Sequence, residues 1–154
     1  AYEKELLGSG GTILANKGFV ESESDFLVCY ADNLTDTNLS ELIAFHRKKQ
    51  SVLTMGLFYT NKPIECGIAA IDSQDLIYEF TEKPESPKSN LANAGIYVTG
   101  QEIFKYLPNQ KFIDFGKDVL PKLINKMYGY EIKDYLLDIG NLDNYEKAQK
   151  EWQL

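Results

Sequence analysis

The chain has 154 residues, of which 44% are apolar and 12% aromatic, so it can form one globular domain, residues 1–154, with a sizeable core. Its net charge is -7 and its lysines and arginines form no basic run, which argues against a nucleic-acid partner. No apolar stretch is long enough to cross a bilayer and no signal peptide is recognisable, so we expect a cytosolic protein without a membrane partner.

Strand and helix patterns alternate along the chain. The apolar run 26–31 predicts a strand buried on both faces of a parallel sheet. Residues 38–49 then show the spacing of an amphipathic helix, with Asn38 and Glu41 placed as an N-cap and its reciprocal acid. Further strands are predicted at 51–59, 67–71, 76–81 and 95–98, a loop at 82–90, and helices at 101–106, 118–126 and 143–152. This alternation predicts an α/β fold in which helices cover a mostly parallel sheet.

Three side chains outside the motifs also carry expectations. Cys29 and Cys66 lie inside apolar runs, and a single pair of cysteines in a domain of this size does not make a disulfide framework. We therefore expect two buried free thiols. His46 lies on the predicted helix 38–49, far from the motifs, and we expect it at the surface.

Two acidic residues stand where predicted strands end. Asp32 follows the strand 26–31, and Asp138 follows the apolar pair Leu136-Leu137. Either one alone is better explained as a helix cap or a turn residue. In open α/β sheets, however, ligands bind beyond the carboxyl ends of strands, and two converging carboxylates suit a magnesium ion that also binds phosphate oxygens.

A glycine-rich segment, 7–12, precedes the apolar residues 13–15. Such a loop allows backbone amides to approach a ligand closely. It matches neither the Walker pattern, because no lysine follows the last glycine, nor the dinucleotide-binding pattern, because no strand precedes it. A plain turn is an equally good interpretation of this segment.

Several short motifs, taken together and in this order, resemble the sugar-1-phosphate nucleotidylyltransferase family, which includes mannose-1-phosphate guanylyltransferases and glucose-1-phosphate thymidylyltransferases. The resemblance runs nearly from end to end. Its most specific part is Glu79–Pro84 followed by Ser89–Tyr97. The other motifs are Leu6–Thr12, Tyr30–Asp32, Phe115–Pro121 and Asp138–Gly140.

The resemblance implies a fold and a set of site residues. The fold would be the Rossmann-like nucleotide-diphospho-sugar transferase fold, with a mostly parallel mixed sheet flanked by helices. The implied roles are Mg²⁺ binding and catalysis for Asp32 and Asp138, phosphate neutralisation for Lys83, nucleotide contact for the Gly8 loop, and sugar binding for Gly67, Glu82, Asn93 and Gly95. The implied reaction joins a nucleoside triphosphate, GTP or dTTP being the leading candidates, to a sugar 1-phosphate and releases pyrophosphate.

One departure from the family pattern alters these expectations. The family's N-terminal strand and the loop that grips the triphosphate have no match here, so we expect an N-terminally truncated domain that is inactive alone. An exposed sheet edge of this kind would favour self-association. A non-catalytic regulatory or sugar-nucleotide-binding module on the same fold is therefore the alternative. A related glycosyltransferase also uses acids after a strand, but would not need Glu82-Lys83-Pro84.

Overall fold

The structure is a computed structural model and describes residues 2–152. The α-helices of this part are α1 (Gly8–Ala15), α2 (Leu39–Lys49) and α3 (Leu142–Glu151). The strands are β1 (Asp25–Cys29), β2 (Asn33–Thr35), β3 (Leu53–Tyr59), β4 (Gly67–Ile71), β5 (Ile77–Glu82), β6 (Leu91–Gly100), β7 (Met127–Glu131) and β8 (Leu136–Asp138). Short 3-10 turns lie at Lys17–Val20, Pro63–Glu65, Gln101–Lys105 and Leu120–Leu123, and a π turn lies at Phe115–Val119.

The long strand β6 organises the main sheet. It pairs antiparallel with β3 along one edge, and along the other edge with β1 and, near Ala92, with β4. Strand β5 lies outside β4, and β7 pairs parallel with β3. In the described part of the chain, β1, β3, β4 and β7 therefore run one way and β5 and β6 the other. The predicted α/β class and mixed sheet are confirmed, although most neighbouring pairs are antiparallel because β6 lies between strands of the opposite direction.

A second, two-stranded ribbon stands apart from the main sheet. Its strands, β2 and β8, pair antiparallel, with Asn33 opposite Asp138 and Thr35 opposite Leu136. The ribbon joins residues that are about a hundred positions apart in sequence. It therefore brings the segment after β1 beside the segment before α3.

The core lies on both faces of the main sheet, because successive side chains of a strand point to opposite faces. Tyr97 is buried in the larger cluster with Leu53 and Phe115. Its neighbours Ile96 and Val98 are buried in the second cluster, beneath α2. Burial on both faces explains the nearly continuous apolar sequence of β6.

Helix α2 forms where the sequence predicts it. The Asn38 side chain accepts hydrogen bonds from the backbone N–H groups of Ser40 and Glu41, at 3.1 and 3.4 Å, and donates to the Glu41 carboxylate at 3.0 Å. These bonds satisfy N–H groups that have no partner within the helix. The apolar side of the helix is anchored by Leu42, which is fully buried.

The surface position expected for His46 is wrong. Its side chain points inward from α2 and is only 4% exposed. The ring Nδ1 lies 2.9 Å from the Thr54 hydroxyl on β3, and Nε2 lies 3.7 Å from the Asp25 carboxylate on β1. His46 thus connects the helix to two strands.

The expected burial of the cysteines is also wrong, although both thiols are free. Cys29 is exposed and Cys66 is partly exposed. Strand β1, expected to be buried on both faces, is only half-buried, because in the described part of the chain β6 is its one partner in the sheet. An alternating or continuous apolar run does not distinguish a central strand from one with a single neighbour.

The predicted helices differ in outcome. The helix at 143–152 is confirmed as α3, whose N-cap Asn141 accepts a hydrogen bond from Asn144 N–H at 2.9 Å. The region 101–106 forms only a 3-10 turn, and the region 118–126 forms the end of a π turn and a 3-10 turn. Pro121 lacks the N–H that a continuous α-helix would require. No helix within residues 2–152 has the length and apolar character needed to cross a membrane.

Candidate active site

A cavity of about 900 Å³ opens where β1, β3 and β5 end and β4 and the bulged part of β6 begin. Its volume is typical of small-molecule binding sites. Seven of the eight site residues predicted from sequence line it. They are Asp32, Gly67, Glu82, Lys83, Asn93, Gly95 and Asp138.

Asp32 and Asp138 lie side by side at one end of the cavity. The pairing of β2 with β8 brings their segments together, and Ile139 N–H donates to the Asp32 carbonyl at 2.8 Å. A β-carbon added to Gly140 would lie 2.9 Å from Asp138 Oδ1 and 3.0 Å from Asp32 Oδ2. The two carboxylate oxygens are therefore at most about 6 Å apart, and Gly140 leaves open the space between them.

This pair fits a small, hard cation. Both carboxylates are solvent-exposed, and Asp138 Oδ1 also accepts a hydrogen bond from Gly140 N–H at 2.7 Å, which orients it. Within residues 2–152 no group of three or more metal-binding side chains is arranged around one point. Magnesium needs only one or two carboxylates, since water and substrate phosphates complete its coordination, so the two-carboxylate set is suitable for it.

Glu82, a predicted sugar-binding residue, lines the cavity between two glycines. A β-carbon on Gly67 or on Gly116 would lie 2.6 Å from Glu82 Oε2. A side chain at Gly67 or at Gly116 would therefore collide with the Glu82 carboxylate in its observed position. Burial raises the pKa of Glu82, and the Asp114 carboxylate raises it further, while Lys83 and Lys117 partly oppose them.

Lys83 follows β5 in a left-handed backbone conformation, with a φ of 46°. Its backbone N–H donates to the Cys66 carbonyl at 3.1 Å. A non-glycine residue in this conformation is uncommon and is often found where a side chain must be aimed at a ligand. The hydrogen bond fixes the turn, and the exposed Lys83 side chain borders the cavity.

Gly95 belongs to a bulge in β6, where one residue of β3 faces three of β6, and Asn93 directly precedes this bulge. Gly95 has a φ of 68°, and a β-carbon there would lie 2.7 Å from the Tyr30 ring. The Asn93 side chain accepts from Gly95 N–H at 3.0 Å and donates to the Tyr97 hydroxyl at 2.7 Å. These bonds hold the bulge, so that its backbone faces the cavity.

Gly8 is the predicted site residue that does not line the cavity. The segment forms helix α1 rather than a loop, and a β-carbon on Gly8 would lie 2.5 Å from the Ile113 carbonyl oxygen. The glycines of α1 allow close packing on residues 112–113. Two other residues of this helix, Ser9 and Thr12, do line the cavity. Ser9 Oγ also accepts from Phe115 N–H at 3.0 Å.

Sequence reasoning missed several residues of the cavity wall. Tyr30 and Asn33 flank Asp32 and line the cavity beside it, and Asn33 donates to the Ala94 carbonyl at 2.7 Å. Asp114 and Gly116 reach the Glu82 carboxylate from a distant segment. The sequence held one signal for Asp114 and Gly116. Gly116 belongs to the motif Phe115–Pro121, and Asp114 directly precedes it.

Comparison with known proteins decides the family. A model of the nucleotidyl transferase family matches residues 1–153. The chain belongs to the nucleotidyl transferase family. The resemblance of its motifs to sugar-1-phosphate nucleotidylyltransferases is thereby confirmed at the level of the family.

Relatives within the nucleotidyl transferase family include glucose-1-phosphate adenylyltransferases. The enzyme of Clostridium acetobutylicum is 31% identical over 92% of this chain, and that of Fusobacterium nucleatum is 32% identical over the same share. The chain spans 40% of the length of each of these relatives.

Among solved structures, HddC from Yersinia pseudotuberculosis has the same fold. It superimposes with a TM-score of 0.80 over 98% of this chain and 65% of that protein, at 24% identity. A second structure of HddC, complexed with GMP-PN, gives a TM-score of 0.79 over the same shares of the two chains.

Proposed function

We propose that this chain provides the sugar-phosphate and metal side of the active site of a sugar-1-phosphate nucleotidyltransferase. The reaction joins the nucleotidyl group of a nucleoside triphosphate to a sugar 1-phosphate and releases pyrophosphate. One observation carries the proposal: a paired set of carboxylates, Asp32 and Asp138, and the Glu82-Lys83 turn line the same cavity. Such a cavity can bind a phosphate between a cation and a sugar ring.

Each side chain has a role that follows from its charge and position. Asp32 and Asp138 would hold Mg²⁺, which supplies charge neutralisation for the phosphates when bound. Lys83 offers three N–H donors and a positive charge to the phosphate of the sugar. Glu82 accepts hydrogen bonds from sugar hydroxyls, and the Gly67 backbone can approach the sugar because no side chain intervenes.

Three nucleoside triphosphates are candidate substrates. The motif resemblance favours GTP and dTTP, whereas the named relatives from Clostridium and Fusobacterium are adenylyltransferases. ATP is therefore a third candidate for this chain. Binding of each triphosphate, measured together with glucose 1-phosphate, distinguishes the three.

Calorimetric titration of the purified chain with glucose 1-phosphate in Mg²⁺ buffer tests the proposal. We expect binding, and we expect Lys83→Ala to weaken it by about tenfold or more, since a charge-assisted hydrogen bond contributes about 1.5–3 kcal/mol. Lys88→Ala is the matched control, because Lys88 lies in the same loop but pairs with Glu79 outside the cavity. Absence of binding by the unaltered chain, or equal weakening by both variants, would contradict the proposal.

A further inference from the structure

A second recess lies next to the active-site cavity. It has a volume of about 360 Å³ and lies between the end of β3 and the turn that follows β7. Three charged residues line it: Glu131 at the end of β7, and Lys133 and Asp134 of that turn. None of the roles proposed above uses this recess.

Two side chains line both spaces. Phe58, near the end of β3, and Leu136, at the start of β8, border the cavity and the recess. Both are partly buried and pack against the same apolar cluster, which includes Ala94 and Ile132. Phe58 and Leu136 therefore form the wall between the active-site cavity and the recess. Leu136 is two residues from Asp138 on the same strand, and Phe58 lies opposite Ala92, which directly precedes the predicted sugar-binding residue Asn93. The wall therefore borders both the carboxylate pair and the strand that carries predicted sugar-binding residues.

We infer that Phe58 is a specificity-determining residue, whose ring confines the bound sugar to the active-site cavity and closes the recess to substituents on the sugar. The inference rests on the proposed function, because it takes the cavity to bind a sugar 1-phosphate. Removal of the ring opens a path for a sugar that carries an extension. A substituent on the sugar that is too large for the unaltered cavity can then enter the recess.

The lining of the recess indicates which extension it would accept. Two carboxylates and one ammonium group give it a net negative charge, so an anionic extension is repelled. An N-acylamino group is neutral and carries one donor and one acceptor, which match Glu131 or Asp134 and Lys133 respectively. The substrate class admitted by an opened wall is therefore the acetamido sugar 1-phosphates.

The test compares affinities of the unaltered chain and Phe58→Ala. The probes are glucose 1-phosphate and its analogues with an acetamido group in place of the hydroxyl at carbon 2, 3, 4 or 6. We expect Phe58→Ala to raise the affinity for at least one analogue, relative to glucose 1-phosphate, by about tenfold or more, the scale on which a pocket discriminates one small group. Tyr59→Ala is the control, because Tyr59 borders the recess but not the cavity.

A second variant shows whether the recess receives the substituent. Adding Lys133→Ala to Phe58→Ala removes a donor of the recess and is expected to reverse part of the gain. If Phe58→Ala fails to fold, as judged by near-ultraviolet circular dichroism, Phe58→Leu replaces it in the same comparison. Leucine keeps an apolar group at this position but is smaller than phenylalanine. Unchanged affinity ratios in a folded variant would overturn the inference.

The outcomes separate this inference from the proposed function. If the unaltered chain binds glucose 1-phosphate and no analogue gains in the Phe58 variants, the wall has no role in specificity and the proposed function stands. If the unaltered chain binds no sugar 1-phosphate, the proposed function fails, and the inference fails with it.

Discussion

At the scale of single residues, the position of Glu82 lowers the stability of the folded chain at neutral pH. Its carboxylate lies against Gly67 and Gly116, partly shielded from water, and close enough to Asp114 for repulsion. Burial and this repulsion raise the pKa of Glu82. As the pH rises above the ordinary pKa of 4.5, the carboxyl loses its proton in the unfolded chain before it does so in the folded chain. The free energy of unfolding therefore falls until the pKa of the folded state is passed, and it stays at the lower value above that pH.

Glu82→Gln is therefore expected to raise the free energy of unfolding at pH 7 relative to the unaltered chain. The difference should shrink as the pH falls towards 4, where the carboxyl is protonated in both states. The same variant should bind glucose 1-phosphate more weakly, because an amide accepts fewer hydrogen bonds than a carboxylate. Urea denaturation at pH 4 and 7 measures the first effect, with Glu79→Gln, on the same strand, as control. A stability difference that does not change with pH would contradict this account.

Residues that line the cavity were predictable from sequence where a local pattern indicates them. Asp32 and Asp138 each follow a short apolar run, which is the pattern of a residue at the end of a strand. Asp114 was missed because its nearness to Glu82 depends on how two distant segments pack. Gly8 packs against Ile113 and does not line the cavity, a position that the sequence did not indicate because close backbone packing and close ligand approach both require glycine.

At the scale of elements, His46 fastens helix α2 to the sheet. Its ring lies against Thr54 of β3 and Asp25 of β1, and Arg47 of the same helix pairs with Asp25 at 2.9 Å. Burial lowers the pKa of His46, the Asp25 carboxylate opposes this shift, and Arg47 adds to it. The unfolded chain therefore takes up a proton first as the pH falls below about 6.5.

The stabilising contribution of neutral His46 is thus complete above about pH 6.5 and is lost as the pH falls below it. The chain has one histidine, so its effect can be isolated. We expect the difference in unfolding free energy between the unaltered chain and His46→Gln to be constant from pH 7 to 8 and to diminish from pH 6.5 to 5. Parallel pH profiles of the two proteins would show that His46 does not titrate in this way.

Elements with caps and clear periodicity were predictable, and those shaped by packing were not. Asn38 and Glu41 mark the start of α2, and the periodic residues after Asn141 mark α3. Helix α1 has three glycines, which disfavour a helix intrinsically, so its formation depends on packing against Ile113. The ribbon of β2 and β8 joins short segments whose pairing no local pattern specifies.

At the scale of the whole molecule, the cavity is assembled from segments spread between Ser9 and Asp138. The order of the motifs predicted the family, and the α/β pattern predicted the layers of the fold. Neither predicted that a separate ribbon, rather than the main sheet, would align the carboxylates. The proposed cation site requires that alignment, and the proposed function depends on it.

Calorimetric titration of the chain with Mg²⁺ in the presence of glucose 1-phosphate tests this dependence most directly. We predict one bound Mg²⁺ per chain, lost in both Asp32→Asn and Asp138→Asn and retained in Asp143→Asn, an acid of α3 outside the cavity. Retention of the ion by either of the first two variants with unchanged affinity would show that the two carboxylates do not share a cation.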